Sequence, residues 1–274
     1  MPRGRNDYET AQIQGRLWTP AVLSPGLWLD CSDLSTMSMT GSVITTLRDK
    51  SGNARNATAV NSPTLIQEGK NGLALGRVTA ASQDCWTIDL DWLAGAGQNH
   101  TAVAGYKFDS SKDATLYGAT NGNAGAGSLH VGWRGPNYPG GNFNKLLLNY
   151  WANDTETSAP SSLDLSIGNV YCWIWNTAAV RTIRARGSDT GATGPSTSQI
   201  AAMSGGGRIF RVCQSGSGGP WYEPPTADLY ELIIAPRLLS RQEYLAAEGY
   251  LAWKWGLPIA ADHPFANRPP LIGD

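Results

Sequence analysis

The chain is short of charge and short of the residue types most catalysis needs. Only 16% of its 274 residues are Asp, Glu, Lys or Arg, against about 25% in an average soluble domain. The 21 basic and 22 acidic residues nearly cancel, leaving a net charge of −1. That balance supplies no electrostatic footprint for DNA, RNA or an anionic membrane. No apolar stretch approaches the roughly 20 residues of a membrane-crossing helix. The first twenty residues are polar and mixed in charge, unlike a signal peptide, so synthesis and folding in a cytoplasm are expected.

Metal and nucleophile chemistry is equally thin. Cys31, Cys85, Cys172 and Cys213 have no close Cys-x-x-Cys spacing. They read as small buried apolar residues or free thiols rather than as a zinc site or disulfide framework, although a pair could oxidise in an oxidising medium. Three histidines occur, His100, His130 and His263, with no His-Glu-x-x-His or His-x-Glu spacing. No Gly-x-Ser-x-Gly elbow accompanies them, so all three are expected to be structural. The glycine loops at Ser204–Arg208 and Ser215–Gly219 lack the Lys-Ser/Thr of a phosphate-binding loop and read as connections.

What remains is a chain of short strands and tight turns, with 32 Gly and 11 Trp. Strand patterns run through Gly41–Lys50, Cys85–Trp92, Thr101–Phe108, Ser128–Arg134 and Lys145–Trp151. They continue through Val170–Trp175, Val180–Arg186, Arg208–Cys213 and Leu229–Ile234. Cys85–Trp92 alternates, with Trp86, Ile88, Leu90 and Trp92 facing inward and Cys85, Thr87, Asp89 and Asp91 on a wet face. Val170–Trp175 and Leu229–Ile234 are apolar on both faces, as strands buried on both sides are. About ten strands between Gly, Pro and Asn turns imply a sandwich or barrel. A single helix follows: Ser240 and Glu243 have capping-box spacing, and Tyr244, Ala247, Leu251 and Trp255 recur on one face.

Two stretches carry a resemblance. Glu248-Gly-Tyr-Leu-Ala-Trp-Lys-Trp-Gly-Leu257, with Asp262-His-Pro-Phe265, is similar to the C-terminal signature of concanavalin A-like (laminin-G-like) jelly-roll domains. Pro25-Gly-Leu-Trp-Leu-Asp30 and Arg48-Asp-Lys-Ser-Gly-Asn-Ala-Arg-Asn-Ala-Thr58 resemble the N-terminal signature of the same group. The chain departs from that pattern at Leu47, Ala54 and Asn56, where Trp, Gly and His are expected. This version of the domain is associated with structural proteins of bacteriophages and phage-like particles. The resemblance implies an all-β concanavalin A-like jelly-roll β-sandwich with a short C-terminal helix. It also implies a virion protein, such as a head spike, decoration protein or fibre, assembled in the host cytoplasm. Residues 1–20 are expected to be an arm that docks residues 21–274, the jelly-roll domain, onto other virion structural proteins. Many copies on one particle, or a homo-oligomer, would follow.

Three activities compete on such a domain. The first is non-catalytic adhesion to a host cell-surface polysaccharide. Trp133, Tyr138, Trp221 and Tyr222, at strand ends or in Gly/Pro-rich loops, would stack on sugar rings while Asn137 and Asn142 take hydroxyls. The second is a purely structural decoration subunit. The third is a glycan-degrading enzyme, which needs two placed carboxylates; Asp89 and Asp91 are the candidates, and seven Glu in the chain leave few others. The same two aspartates could instead ligate Ca²⁺; no other cofactor is expected. Arg181, Arg184 and Arg186 read as a solvated strand face.

Overall fold

The computed structural model describes residues 17–94, 99–108, 114–120, 129–135, 144–150, 153–158, 163–176, 181–191, 209–213 and 226–274. In chain order the strands are β1 (Leu27–Asp30), β2 (Met37–Thr40), β3 (Val43–Leu47), β4 (Ala57–Val60), β5 (Thr64–Lys70) and β6 (Leu73–Val78). Then come β7 (Cys85–Ile88), β8 (His100–Lys107), β9 (Ala114–Thr120), β10 (Leu129–Arg134), β11 (Lys145–Tyr150) and β12 (Asn153–Ser158). The last are β13 (Asn169–Trp175), β14 (Thr182–Ala185), β15 (Ser188–Asp189), β16 (Ile209–Val212) and β17 (Ala227–Ala235), followed by helix α1 (Arg241–Trp255).

All pairings are antiparallel, and they form the two layers of a jelly-roll sandwich. In the first layer β17 is central. Its one edge pairs with β8, which leads to β13, β14 and β15. Its other edge is shared, β6 pairing with Ala227–Leu229 and β1 with Glu231–Ile234. The second layer runs β2-β3-β4-β7-β16-β9-β10-β11-β12. A single pair, Val43 with Thr64, joins it to the β5–β6 hairpin. Between the layers lie Trp86, Trp173, Trp175, Tyr106, Tyr117, Tyr171 and Phe108 with the aliphatic residues of both inner faces.

The outer face of the first layer is buried too, as the doubly apolar strands require. Val103, Val170, Cys172 and Ile233 meet Ala247, Leu251 and Trp255 of α1. The capping box forms: Ser240 Oγ accepts from Glu243 N–H, and Glu243 accepts from Ser240 N–H. The chain after α1 folds back over it. Phe265 packs so tightly on Gly249 that any β-carbon there would fall 2.6 Å from the Phe265 Cβ and 2.9 Å from its ring.

Within this frame the two signature stretches interlock. Asp49 accepts from Trp28 N–H at 2.9 Å, and Lys50 N–H donates to the Trp28 carbonyl at 2.8 Å, so the 49–55 loop satisfies the free edge of β1. Ala54, where glycine is expected, has φ +56°, a left-handed backbone that favours glycine. The centre of the interlock is Glu231, fully buried. It accepts from Trp28 Nε1 (2.6 Å), Trp255 Nε1 (3.0 Å), Tyr250 OH (3.0 Å) and Lys254 Nζ (2.7 Å). Lys254 Nζ also reaches Asp30 Oδ1 at 2.8 Å, and Asp30 reaches Lys50 at 2.9 Å. Burial alone would raise the Asp30 carboxyl, but Lys254 and Lys50 beside it hold it well below the usual carboxylate range. Burial and the neighbouring Asp30 push Glu231 up against the opposing pull of Lys254.

Several expectations are corrected by register. β17 carries a bulge between Leu229 and Glu231. Leu229, Leu232 and Ile234 therefore face the sandwich core while Tyr230 and Ile233 face α1, where strict alternation would separate Leu229 from Leu232. Cys85 is fully buried rather than wet, and β7 ends at Ile88. Arg181 and Arg184 are not a solvated face. Arg184 forms a two-pronged pair with Glu248 of α1 (2.8 and 3.1 Å), and Arg181 lies 3.6 Å over the Trp175 ring. Residues 1–16 of the expected arm lie outside the described residues. Residues 17–20 already belong to the packed body: Leu17 bridges Leu271, and Trp18 is buried against Tyr250.

Replacing Lys254 with Met leaves the buried Glu231 without a cation and Asp30 with Lys50 alone, and should cost on the order of 3–5 kcal/mol. Urea denaturation measures it, with Arg268→Gln as control. That change breaks a pair whose arginine is 51% exposed and should cost less than about 1 kcal/mol. Equal losses in both would mean that the Glu231 cluster is not a keystone.

Candidate functional site

The register of three strands brings charge together at one end of the first layer. Asp228 opens β17 and stands opposite Arg77 of β6 on one side and Lys107 of β8 on the other. The three form a cross-strand row, cation–carboxylate–cation, on the face that α1 covers further along. Asp228 is buried, and Arg77 grips it through Nε (2.7 Å) and Nη2 (3.0 Å). That hydrogen bonding raises the Arg77 guanidinium above its ordinary pKa. Beyond the row lies an open cleft of about 370 Å³, lined by Arg77, Lys107, Phe108, Ser166, Thr226, Ala227 and Asp228.

The walls of this cleft have local causes. Tyr230, displaced outward beside the bulge, stacks on Trp255 with ring centres 5.3 Å apart. That stack marks where the covered part of the face ends. Gly168 lets the 163–168 loop close on the same tyrosine, since a β-carbon at that position would lie 2.2 Å from the Tyr230 ring. Ser166 is thereby brought to the mouth. Its N–H and Oγ both donate to the exposed Asp164 carboxylate, holding that group below its ordinary pKa. Thr226 is exposed at the opposite rim, and its Oγ1 accepts from Ala80 N–H at 3.3 Å. Phe108 and Ala227, whose side chains belong to the sandwich core, close the inner end of the cleft.

The residues expected from the sequence do not assemble here. Trp133 is 2% exposed and belongs to the sandwich core, because it pairs with Leu146, which also faces inward. It cannot stack on a sugar. Tyr138, Trp221, Tyr222, Asn137 and Asn142 lie outside the described residues. Asp89 is exposed, but β7 has ended before it, and Asp91 starts a 3-10 turn over Asp91–Ala94. Leu90 and Leu93 turn into the core there, so the two aspartates do not share a strand face. Among the described residues no three His, Cys, Asp or Glu side chains converge as metal ligands. Sequence reasoning passed over Arg77, Lys107 and Asp228. The available signal was a lone charge at the end of each of three apolar strands.

The outer face of the second layer is the other polar surface. Cross-strand partners Thr46, Thr58, Thr87, Arg211, Gly118 and His130 form one row across it. His130 is half-buried, and its Nε2 has no hydrogen-bond partner among the described residues. Burial, reinforced by Arg134, lowers its pKa to about 3.

Comparisons with known proteins bear on the fold alone. No protein-family model and no curated protein matches the chain. Among solved structures, it is similar to a botulinum neurotoxin serotype D/C binding domain (12% identity, TM-score 0.53), covering 88% of this chain and 56% of that one. It is similar to domain 4 of AbnA, an arabinanase of Geobacillus stearothermophilus in complex with arabinotriose (13% identity, TM-score 0.50), over 72% and 89%. A Trypanosoma rangeli sialidase in complex with sialic acid aligns at 14% identity and TM-score 0.47, over 84% and 33%. The chain thus spans about a third of the sialidase and just over half of the toxin domain. No described helix is long and apolar enough to cross a membrane.

His130 provides a pH test of this geometry. Its folded pKa lies below the ordinary value near 6.5, so unfolding takes up a proton between about pH 6.5 and 3. Stability from keeping it neutral is fully present above pH 6.5 and declines as pH falls through that window. His130→Gln should flatten the pH dependence of urea midpoints there. An unchanged profile, or an imidazole titrating near 6.5 by NMR, would contradict its burial.

Proposed function

We propose that this chain is a non-catalytic saccharide-binding domain carried on the surface of a virion, where it holds the particle to host polysaccharide. The observation that carries the binding half is the cleft beside Arg77, Asp228 and Lys107. It is roomy enough for one sugar ring and is rimmed by hydroxyls and charged donors, the placed polar groups that orient a small ligand. The same sandwich in the arabinanase domain stands in complex with arabinotriose, which supports the reading by analogy of fold. Hydrolysis is less well supported. A glycosidase needs a pair of carboxyl groups across the bond, whereas Asp228, the one carboxylate among the described lining residues, is held by Arg77.

The virion half rests on the resemblance of the 25–30, 48–58 and 248–257 stretches, and on a segment before Leu17 that would attach the domain. Sites multiplied on one particle need only modest individual strength, since each bound copy raises the effective concentration of the next. A single domain is expected to bind at about millimolar strength, about −4 kcal/mol.

Thr226→Trp fills the mouth of the cleft from an exposed position and should abolish saccharide binding while leaving the thermal midpoint unchanged. Binding that survives in this variant would move the site elsewhere. Release of reducing ends from host polysaccharide by the purified wild type would replace adhesion with hydrolysis. Deletion of residues 1–16, stopping short of the packed Leu17 and Trp18, should leave a folded domain that no longer joins its particle. Full incorporation would assign attachment to the sandwich itself.

A further inference from the structure

Among the described residues the cleft has one carboxylate for two cations, and that imbalance points to the charge of its guest. Arg77 spends Nε and Nη2 on Asp228, and its Nη1 has no partner among the described residues. Lys107 is half-buried and lines the same cleft, yet no hydrogen bond or ion pair engages it among the described residues. The two other lysines that meet the signature stretches are treated differently: Lys50 reaches Asp30 and Asp33, and Lys254 reaches Asp30 and Glu231. Asp164 lies two residues from the lining Ser166. It is engaged by Ser166 and faces Arg186, whose charge helps hold it ionised. Counting Arg77, Lys107 and Asp228, the described lining carries one unmatched positive charge.

A half-buried ammonium without a counter-charge is an unfavourable arrangement that a bound anion relieves. The cavity of about 370 Å³ has room for a ring beyond the anionic group itself, and the hydroxyls of Ser166 and Thr226 stand at the rim. Building on the saccharide-binding reading, we infer that the cleft recognises a monoanionic sugar unit, with its carboxylate on Lys107 Nζ and Arg77 Nη1 and its hydroxyls toward Ser166 and Thr226. Net charge on the lining favours one negative charge over the dianion of a phosphate monoester. A neutral sugar would leave Lys107 uncompensated.

The test is an NMR titration of the labelled protein with three probes: trigalacturonate, neutral galactotriose and sodium sulfate. Trigalacturonate should shift resonances of residues around Lys107, Ser166 and Thr226, and bind at least roughly tenfold tighter than galactotriose, the range of a hydrogen bond to a charged group. Lys107→Gln should weaken trigalacturonate by roughly tenfold or more, and Lys107→Arg, which keeps the charge, should restore it. Equal binding of both saccharides, unchanged in Lys107→Gln, overturns the inference and leaves the saccharide-binding reading standing. Binding of sulfate alone, or of none of the probes, overturns both. Trigalacturonate binding that Thr226→Trp abolishes and Lys107→Gln weakens supports both.

Discussion

A carboxylate with no access to solvent organises this molecule. Glu231 sits in the strand that every other part of the first layer leans on, and its two oxygens take four donors from two separate stretches of chain, β1 and α1. An unpaired charge at that depth would be untenable, so Trp28, Tyr250, Lys254 and Trp255 must all arrive together. The helix cannot slide along the sheet without stripping Lys254 from both Glu231 and Asp30. β1 cannot leave its edge without removing the Trp28 indole. Hydrophobic burial under α1 provides the gross attraction, while the polar cluster selects one register out of those that would bury similar area.

The cleft depends on this registration at one remove. Because the bulge inserts an extra residue in β17, Glu231 and Tyr230 both turn toward the helix, one as acceptor and the other as the ring stacked on Trp255. Past that point the helix no longer covers the sheet, and the row Arg77–Asp228–Lys107 is left open. A sheet face that is apolar and closed for most of its length thus ends in a short charged margin. The stabilising cluster and the proposed ligand site occupy adjacent parts of the same surface.

Much of the frame was legible in the residues themselves. The apolar runs at Val170–Trp175 and Leu229–Ile234, the Ser240–Glu243 cap and the two signature stretches are local patterns, and local patterns survive into the structure. What was not legible depends on which strand lies beside which. Arg181 and Arg184 look solvated in sequence because their partners, Trp175 and Glu248, are placed by tertiary packing. Trp133 looks like a loop aromatic until its pairing with Leu146 turns it inward. Arg77, Lys107 and Asp228 are separated by 30 and 121 positions, and only the order β6–β17–β8 makes them neighbours. Strict alternation also fails at Tyr230, since nothing in the local pattern announces a bulge.

The pairing of β1 with β17 has a consequence for how the protein comes into being. Trp28 meets Glu231 across 203 positions of chain, and α1, which closes the cluster, follows later still. At about 5–20 residues per second on a ribosome, the first strand waits roughly ten to forty seconds for its partner to be made. During that interval Trp28, Leu27 and Leu29 have no sheet edge to join. The first layer therefore cannot assemble from the N-terminus as it emerges; it closes only once the C-terminal helix is free of the exit tunnel. Long-range pairings of this kind make folding slow. The birth of this domain is a single late event, and a chaperone that shelters the early strands has its work before residue 231 appears.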